Sequence, residues 1–241
     1  MARASIGLQE YAAHASVPGC YGKVPALGDF FSRRLPQEFV DAWDAWLQGA
    51  LEGSRIDLGE RWEDGYFTAP IWRFALASHV CGENGWAGVL MPSVDKVGRA
   101  FPLTVAAAVS EPAQIAQALF GPQHWYARIE EIALSALSME AHVEALDQAL
   151  LESPFSNGAA DNDASTRLPS LRANLHMRPL AIARLDDLPG ALQVAAVEAF
   201  VGANGWNTFW WTRGREGGSA DAFALAGLPD AETFAQMLCV G

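Results

Sequence analysis

The sequence predicts an α+β fold: one largely antiparallel sheet with helices packed on its faces. Three observations carry this. Ile71–Ser78, Trp86–Met91 and Phe101–Val109 are apolar runs of strand length, and only turn chemistry separates them. Connections that short force an antiparallel meander, because parallel neighbours need a crossover of a dozen residues or more. Strand runs and helix runs are also grouped rather than strictly alternating, which is the α+β pattern.

The elements follow in chain order. Residues 1–16 read as a flexible leader and 17–241 as a single domain. Val17–Ala26 is extended in character, since Pro25 forbids an early helix. Gly28-Asp29 makes a turn. The clearest helix follows Leu35, with Pro36 at its first turn. Phe39, Val40, Trp43, Trp46, Leu47, Ala50 and Leu51 recur at helical spacing, and Gly53 is the expected stop. Arg55–Phe67 reads as a short helix plus a loop. The meander then carries turns at Gly82–Gly85 and Pro92–Arg99.

A helix opened by Glu111-Pro112 is broken at Phe120-Gly121-Pro122, and a long one is predicted from about Gln123 to Leu151. Ser153–Leu168 has the composition of an exposed loop. Ser170–His176 reads as a strand and Leu188–Phe200 as a helix. Asn207–Arg213 and Phe223–Ala226 form a hairpin, and Pro229–Val240 closes the chain as a helix.

Composition excludes several function classes. Apolar residues make up 51% of the 241 and charged ones 18%, the opposite of a disordered chain. The net charge of −12 argues against a nucleic-acid partner, whose backbone demands Lys and Arg. The longest uncharged run, Pro112–Ala127, has 16 residues and contains Pro, Gln and His. A spanning helix needs roughly 20 apolar residues, so no membrane insertion is expected. No signal peptide is visible, and the scattered Cys20, Cys81 and Cys239 read as buried thiols of a reducing cytoplasm.

A search for chemistry leaves little. Gly19–Pro25 is glycine-rich, but Val24 and Pro25 stand where a phosphate loop needs Ser or Thr and then a helix. There is no G-x-S-x-G and no H-E-x-x-H. His79 and Cys81, two apart on an expected strand, form the one metal-like pair, and a lone pair makes no site. No catalytic residue, cofactor or metal ligand is assigned.

Two charged clusters stand out instead. Ser93, Asp95, Lys96, Gly98 and Arg99 fill the turn between two apolar strands, and Asp29, Arg33 and Arg34 precede the first helix. If the clusters meet, Asp29 or Asp95 pairs with Arg33 or Arg99. Lys23, Arg33, Arg34, Lys96 and Arg99 would then form a local basic patch on an acidic body. Among the nine tryptophans, Trp210 and Trp211 are neighbours on an expected strand and so face opposite ways.

Read as a string, Gly19–Leu47 resembles the opening signature of the TagF/ImpM proteins of bacterial type VI secretion clusters. Ala69–Leu76, the stretch Trp86–Thr104, Trp210-Trp211 and Gly227–Asp230 fit the same family's pattern. The resemblance implies a single α/β-layered domain that is regulatory and not enzymatic. It implies a cytoplasmic protein that restrains the secretion apparatus after translation, by engaging a forkhead-associated scaffold protein. Some relatives carry a fused phosphatase domain, for which 241 residues leave no room. The family motif carries over to Gly22, Lys23, Gly28, Asp29, Phe30, Ser93, Asp95, Gly98 and Arg99. Arg33, Lys96, Trp210 and Trp211 complete the candidate partner-binding set. Two other readings stand beside it: an enzyme using Asp29, Asp95 and Arg99, and a structural subunit of the apparatus. The oligomeric state is left open.

Overall fold

The structure, a computed structural model, describes residues 16–109, 112–121, 123–138, 140, 142–155, 205–213 and 221–239. The leader up to residue 15, most of the 153–168 loop, the strand at 170–176 and the helix at 188–200 fall outside these residues.

The strands are β1 (Gly19–Gly22), β2 (Phe31–Arg33), β3 (Trp72–Leu76), β4 (Gly85–Met91), β5 (Leu103–Val109), β6 (Thr208–Thr212) and β7 (Asp221–Leu225). They form one sheet in the order β2-β1-β5-β4-β3-β6-β7, every neighbouring pair antiparallel. The expected α+β class is therefore what the chain adopts. The meander β3-β4-β5 is its centre, extended on one side by β6 and β7 and on the other by β1 and β2. The β1–β2 hairpin and the pairing of β1 with β5 had no counterpart in the sequence reading.

Helices cover both faces, which is why even antiparallel strands read as unbroken apolar runs. On one face lie α1 (Gln37–Leu58), α2 (Trp62–Thr68) and α6 (Ala231–Cys239). A turn of 3₁₀ helix, Gly59–Arg61, joins α1 to α2. On the other face lie α3 (Pro112–Phe120), α4 (His124–Ser135) and α5 (Val143–Leu151). Period-two alternation sorts the strands: Trp72, Phe74, Leu76, Trp86, Leu90 and Trp210 face the first layer, while Ala75, Ala87, Val89, Val105 and Ala107 face the second.

Three expectations about helices and loops are corrected. Helix α1 runs past Gly53 to Leu58, because Gly53 lies against Ala231 of α6; the chain turns at Gly59, whose φ is 55°. The long helix expected over 123–151 is two, α4 and α5. A straight helix of that length would span about 43 Å at ~1.5 Å per residue, well beyond strands of five to seven residues. Folding it back lays both pieces on the sheet. Finally, Ser153 and Phe155, placed at the start of an exposed loop, are buried, and the Ser153 carbonyl accepts from Trp125 Nε1 at 3.0 Å.

Candidate functional site

The two charged clusters only partly meet. The turn after β4 and the segment between β1 and β2 are joined by several hydrogen bonds. Ser93 Oγ donates to the Lys23 carbonyl at 2.7 Å, and the Lys96 amide donates to the Leu27 carbonyl at 2.8 Å. Arg99 Nη2 donates to the Gly28 carbonyl at 3.0 Å. Helix α2 fixes the start of the turn. The Tyr66 hydroxyl donates to the Ser93 carbonyl at 2.8 Å and accepts from the Ser93 amide at 3.1 Å.

Asp95 is the centre of the junction. Its side chain has no exposed area. One carboxylate oxygen accepts from the amides of Val97 (3.0 Å) and Arg99 (2.9 Å). The other meets Arg99 Nε at 2.6 Å and Lys23 Nζ at 3.2 Å. Burial pushes the carboxyl up, but the bonds from the Arg99 amide and guanidinium, Lys23 and the Val97 amide outweigh it and hold it well below the usual carboxylate range. Four donors leave this group no idle lone pair, so it ties two loops together.

Two glycines fit their places. At Gly22, φ is 140° and a Cβ would collide with the Pro102 carbonyl, so the close approach of the end of β1 to the residues that open β5 requires glycine. Gly98 sits at φ 83° in the turn and meets nothing, so there the backbone angle alone favours glycine.

The remaining candidates separate. Asp29 is exposed, and its carboxylate accepts from the Phe30 amide at 2.8 Å; it pairs with no cation among the described residues. Arg33 is exposed and lies over the Phe31 ring, 4.6 Å from its centroid. Arg34 pairs with Asp147 of α5 and donates to the Pro18 carbonyl. The expected pairing of Asp29 with Arg33 does not form, and the basic patch is dispersed: Lys23 is buried on Asp95 and Arg34 is held by α5. Lys96 is exposed and free of a carboxylate among the described residues. Phe30, half exposed, stacks on Tyr21 and meets Phe101 edge-on, with Lys23 Nζ 5.2 Å from its centroid.

Trp210 and Trp211 do face opposite ways. Trp210 is fully buried among Trp43, Trp46 and Phe74. Trp211 packs edge-on against Tyr126 of α4 and donates to Gln123 Oε1 at 3.3 Å. Both rings therefore belong to helix layers.

The thiols also divide. Cys20 and Cys81 are buried, and burial pushes each thiol up to about 12, far from reactive. Cys239 is exposed, contrary to expectation, because the buried face of the last helix is formed by Phe234, Ala235, Met237 and Leu238. His79 and Cys81 sit in a turn rather than on a strand. Among the described residues no cluster of His, Cys, Asp and Glu has metal-binding geometry, and no helix is long and apolar enough to cross a membrane.

A groove was missed by sequence reasoning. It has a volume of about 820 Å³ and runs between the end of α1, the 3₁₀ turn and α2 on one side and the Asp95 turn on the other. Arg55, Trp62, Phe67 and Arg99 line it, together with Glu60 and Glu63. Phe67 had a legible signal: Trp62 and Tyr66 are four apart and share the buried face of α2, which leaves the next residue off it.

The geometry describes a single-sheet α+β domain whose charged motif is a closed loop junction beside an open groove. The chain matches the family described as TagF N-terminal domain, type VI secretion system-associated, over residues 19–152. It belongs to that family. It is also similar to a solved protein, PA0076 from Pseudomonas aeruginosa PAO1, whose crystal structure is at 2.05 Å resolution. The identity is 38%, the match covers 92% of this chain and 93% of the other, and the TM-score is 0.73. No curated protein sequence matches the chain.

Proposed function

We propose that the chain is a cytoplasmic, non-enzymatic regulator that restrains the type VI secretion apparatus after translation, by binding its forkhead-associated scaffold protein. The observation that carries this is membership of a type VI secretion-associated family across the residues that build the loop junction and the groove. The state of the one buried carboxylate among the described residues supports a binding role over a catalytic one. Asp95 is closed by four donors, and Asp29 lies outside the junction. Removing the gene raises secretion, and overproducing the protein silences it, while the levels of apparatus proteins stay constant. Secretion that is unchanged in both strains sinks the reading, and apparatus levels that follow the gene dose place the effect in synthesis instead.

A further inference from the structure

Resting on that reading of the chain as a partner-binding protein, we propose what the groove between α2 and the Asp95 turn accepts. It seats a protein segment that presents an apolar side chain beside a carboxylate. The groove is preformed. Tyr66 bonds both backbone polar atoms of Ser93, and Asp95 rigidifies the turn that makes the opposite wall. A site whose walls are already held loses little freedom when it is filled.

Its lining carries an apolar anchor point. Phe67 is 57% exposed on the helical wall. Scattered exposed apolar groups are ordinary. Here Phe67 lines a groove that also holds two guanidinium groups fixed by the protein. Arg55 lies over the Trp62 ring, 4.2 Å from its centroid, and has no carboxylate partner among the described residues. Arg99 is anchored to Asp95 and the Gly28 carbonyl, yet its side chain is 64% exposed. Oriented guanidiniums recognise carboxylates with little further ordering, and aromatic and arginine side chains dominate binding hot spots.

Glu60 and Glu63 in the same lining decide the class of occupant. A mixed-sign groove on a chain of net charge −12 repels a polyanion such as nucleic acid or an anionic membrane surface. It suits a protein segment that carries a carboxylate for the arginines and no long run of like charge.

The test uses the full chain and the purified scaffold protein of the same secretion cluster. Phe67→Ala combined with Arg55→Gln raises the dissociation constant about tenfold or more, with the circular dichroism and thermal midpoint of the wild type retained. Leu134→Ala, on the outer surface of α4, leaves it unchanged. A photo-crosslinker at Phe67 maps to a scaffold segment with an apolar residue next to Asp or Glu. Wild-type affinity in the double variant overturns the groove assignment while leaving the regulatory reading intact. Absence of binding by the wild type overturns both. A crosslink to a basic segment, or to a second copy of this chain with a matching dimer in light scattering, overturns the proposed occupant.

Discussion

The two faces of the sheet are built from different chemistry. Under α1, α2 and α6 the core is aromatic. Phe39, Trp43, Phe74, Trp86 and Trp210 pack in mutual contact, with ring centroids 4.4–6.1 Å apart. Its indole N–H groups find neutral acceptors, such as Trp43 Nε1 on Thr104 Oγ1 at 2.7 Å and Trp72 Nε1 on the Met237 carbonyl at 3.1 Å. Under α3, α4 and α5 the core is mostly aliphatic and rich in Ala and Val, with a smaller aromatic group of Trp125, Tyr126 and Phe155. There the sheet is bonded to its helices by an ion pair. Arg73 of β3 reaches Glu130 of α4 through two bonds of 2.6 and 2.8 Å, and Gln123 at 3.0 Å.

The difference teaches where each face is vulnerable. Aromatic packing fails when volume is removed. The ion-paired face fails when one charge is removed, because the remaining partner is left buried without a counter-charge. The arrangement also explains why the groove opens where it does. Helix α2 uses Trp62 and Tyr66 to close the aromatic face, so the residue after Tyr66 is turned outward beside the Asp95 turn.

The largest effect belongs to the aromatic face. Trp43→Ala removes a fully buried ring and strands the Thr104 hydroxyl, and a loss of about 4 kcal/mol or more is expected in denaturant unfolding. A loss below about 2 kcal/mol breaks the description of this face as one interlocked cluster. On the opposite face, Glu130→Leu alone costs about 3 kcal/mol by leaving Arg73 uncompensated. The double variant Arg73→Met/Glu130→Leu recovers most of it. A double variant as unstable as the single one shows that packing, not pairing, governs that face.

Asp95→Asn acts at the junction, outside both faces, and lowers the thermal midpoint at neutral pH by less than either core variant. The folded carboxyl is held low, so its contribution is complete above the ordinary unfolded value of about 3.9 and disappears as pH falls through the folded value. The gap in midpoint between wild type and variant therefore narrows towards about pH 2. A gap independent of pH means that the ionised state of Asp95 is not what ties the loops. The smallest effect is that of Phe67→Ala, expected within about 0.5 kcal/mol because the ring is mostly exposed. A large loss would place Phe67 in the aromatic face after all.

Much of this was legible in the residues. The meander follows from apolar runs joined by short turns, the first helix from the spacing of its apolar residues, and the opposed rings of Trp210 and Trp211 from strand alternation. The charged turn at 92–99 was visible as chemistry between two apolar runs. Its wiring was not. Lys23 reaches Asp95 and Arg34 reaches Asp147 across long stretches of chain, and no local pattern encodes which cation a fold delivers to which carboxylate. Gly53 was misread because glycine ends helices and also admits close helix packing, and only the approach of α6 distinguishes the two. The split of α4 from α5 is likewise set by the size of the sheet, not by the apolar line that runs through both.

Hydrogen exchange on the full chain, with and without the purified scaffold protein, tests the central claim most directly. The account predicts slowed exchange in Trp62–Thr68 and in residues 96–100, with α4 and α5 unaltered. Protection confined to α4 and α5, or none in any peptide at saturating scaffold, would contradict it.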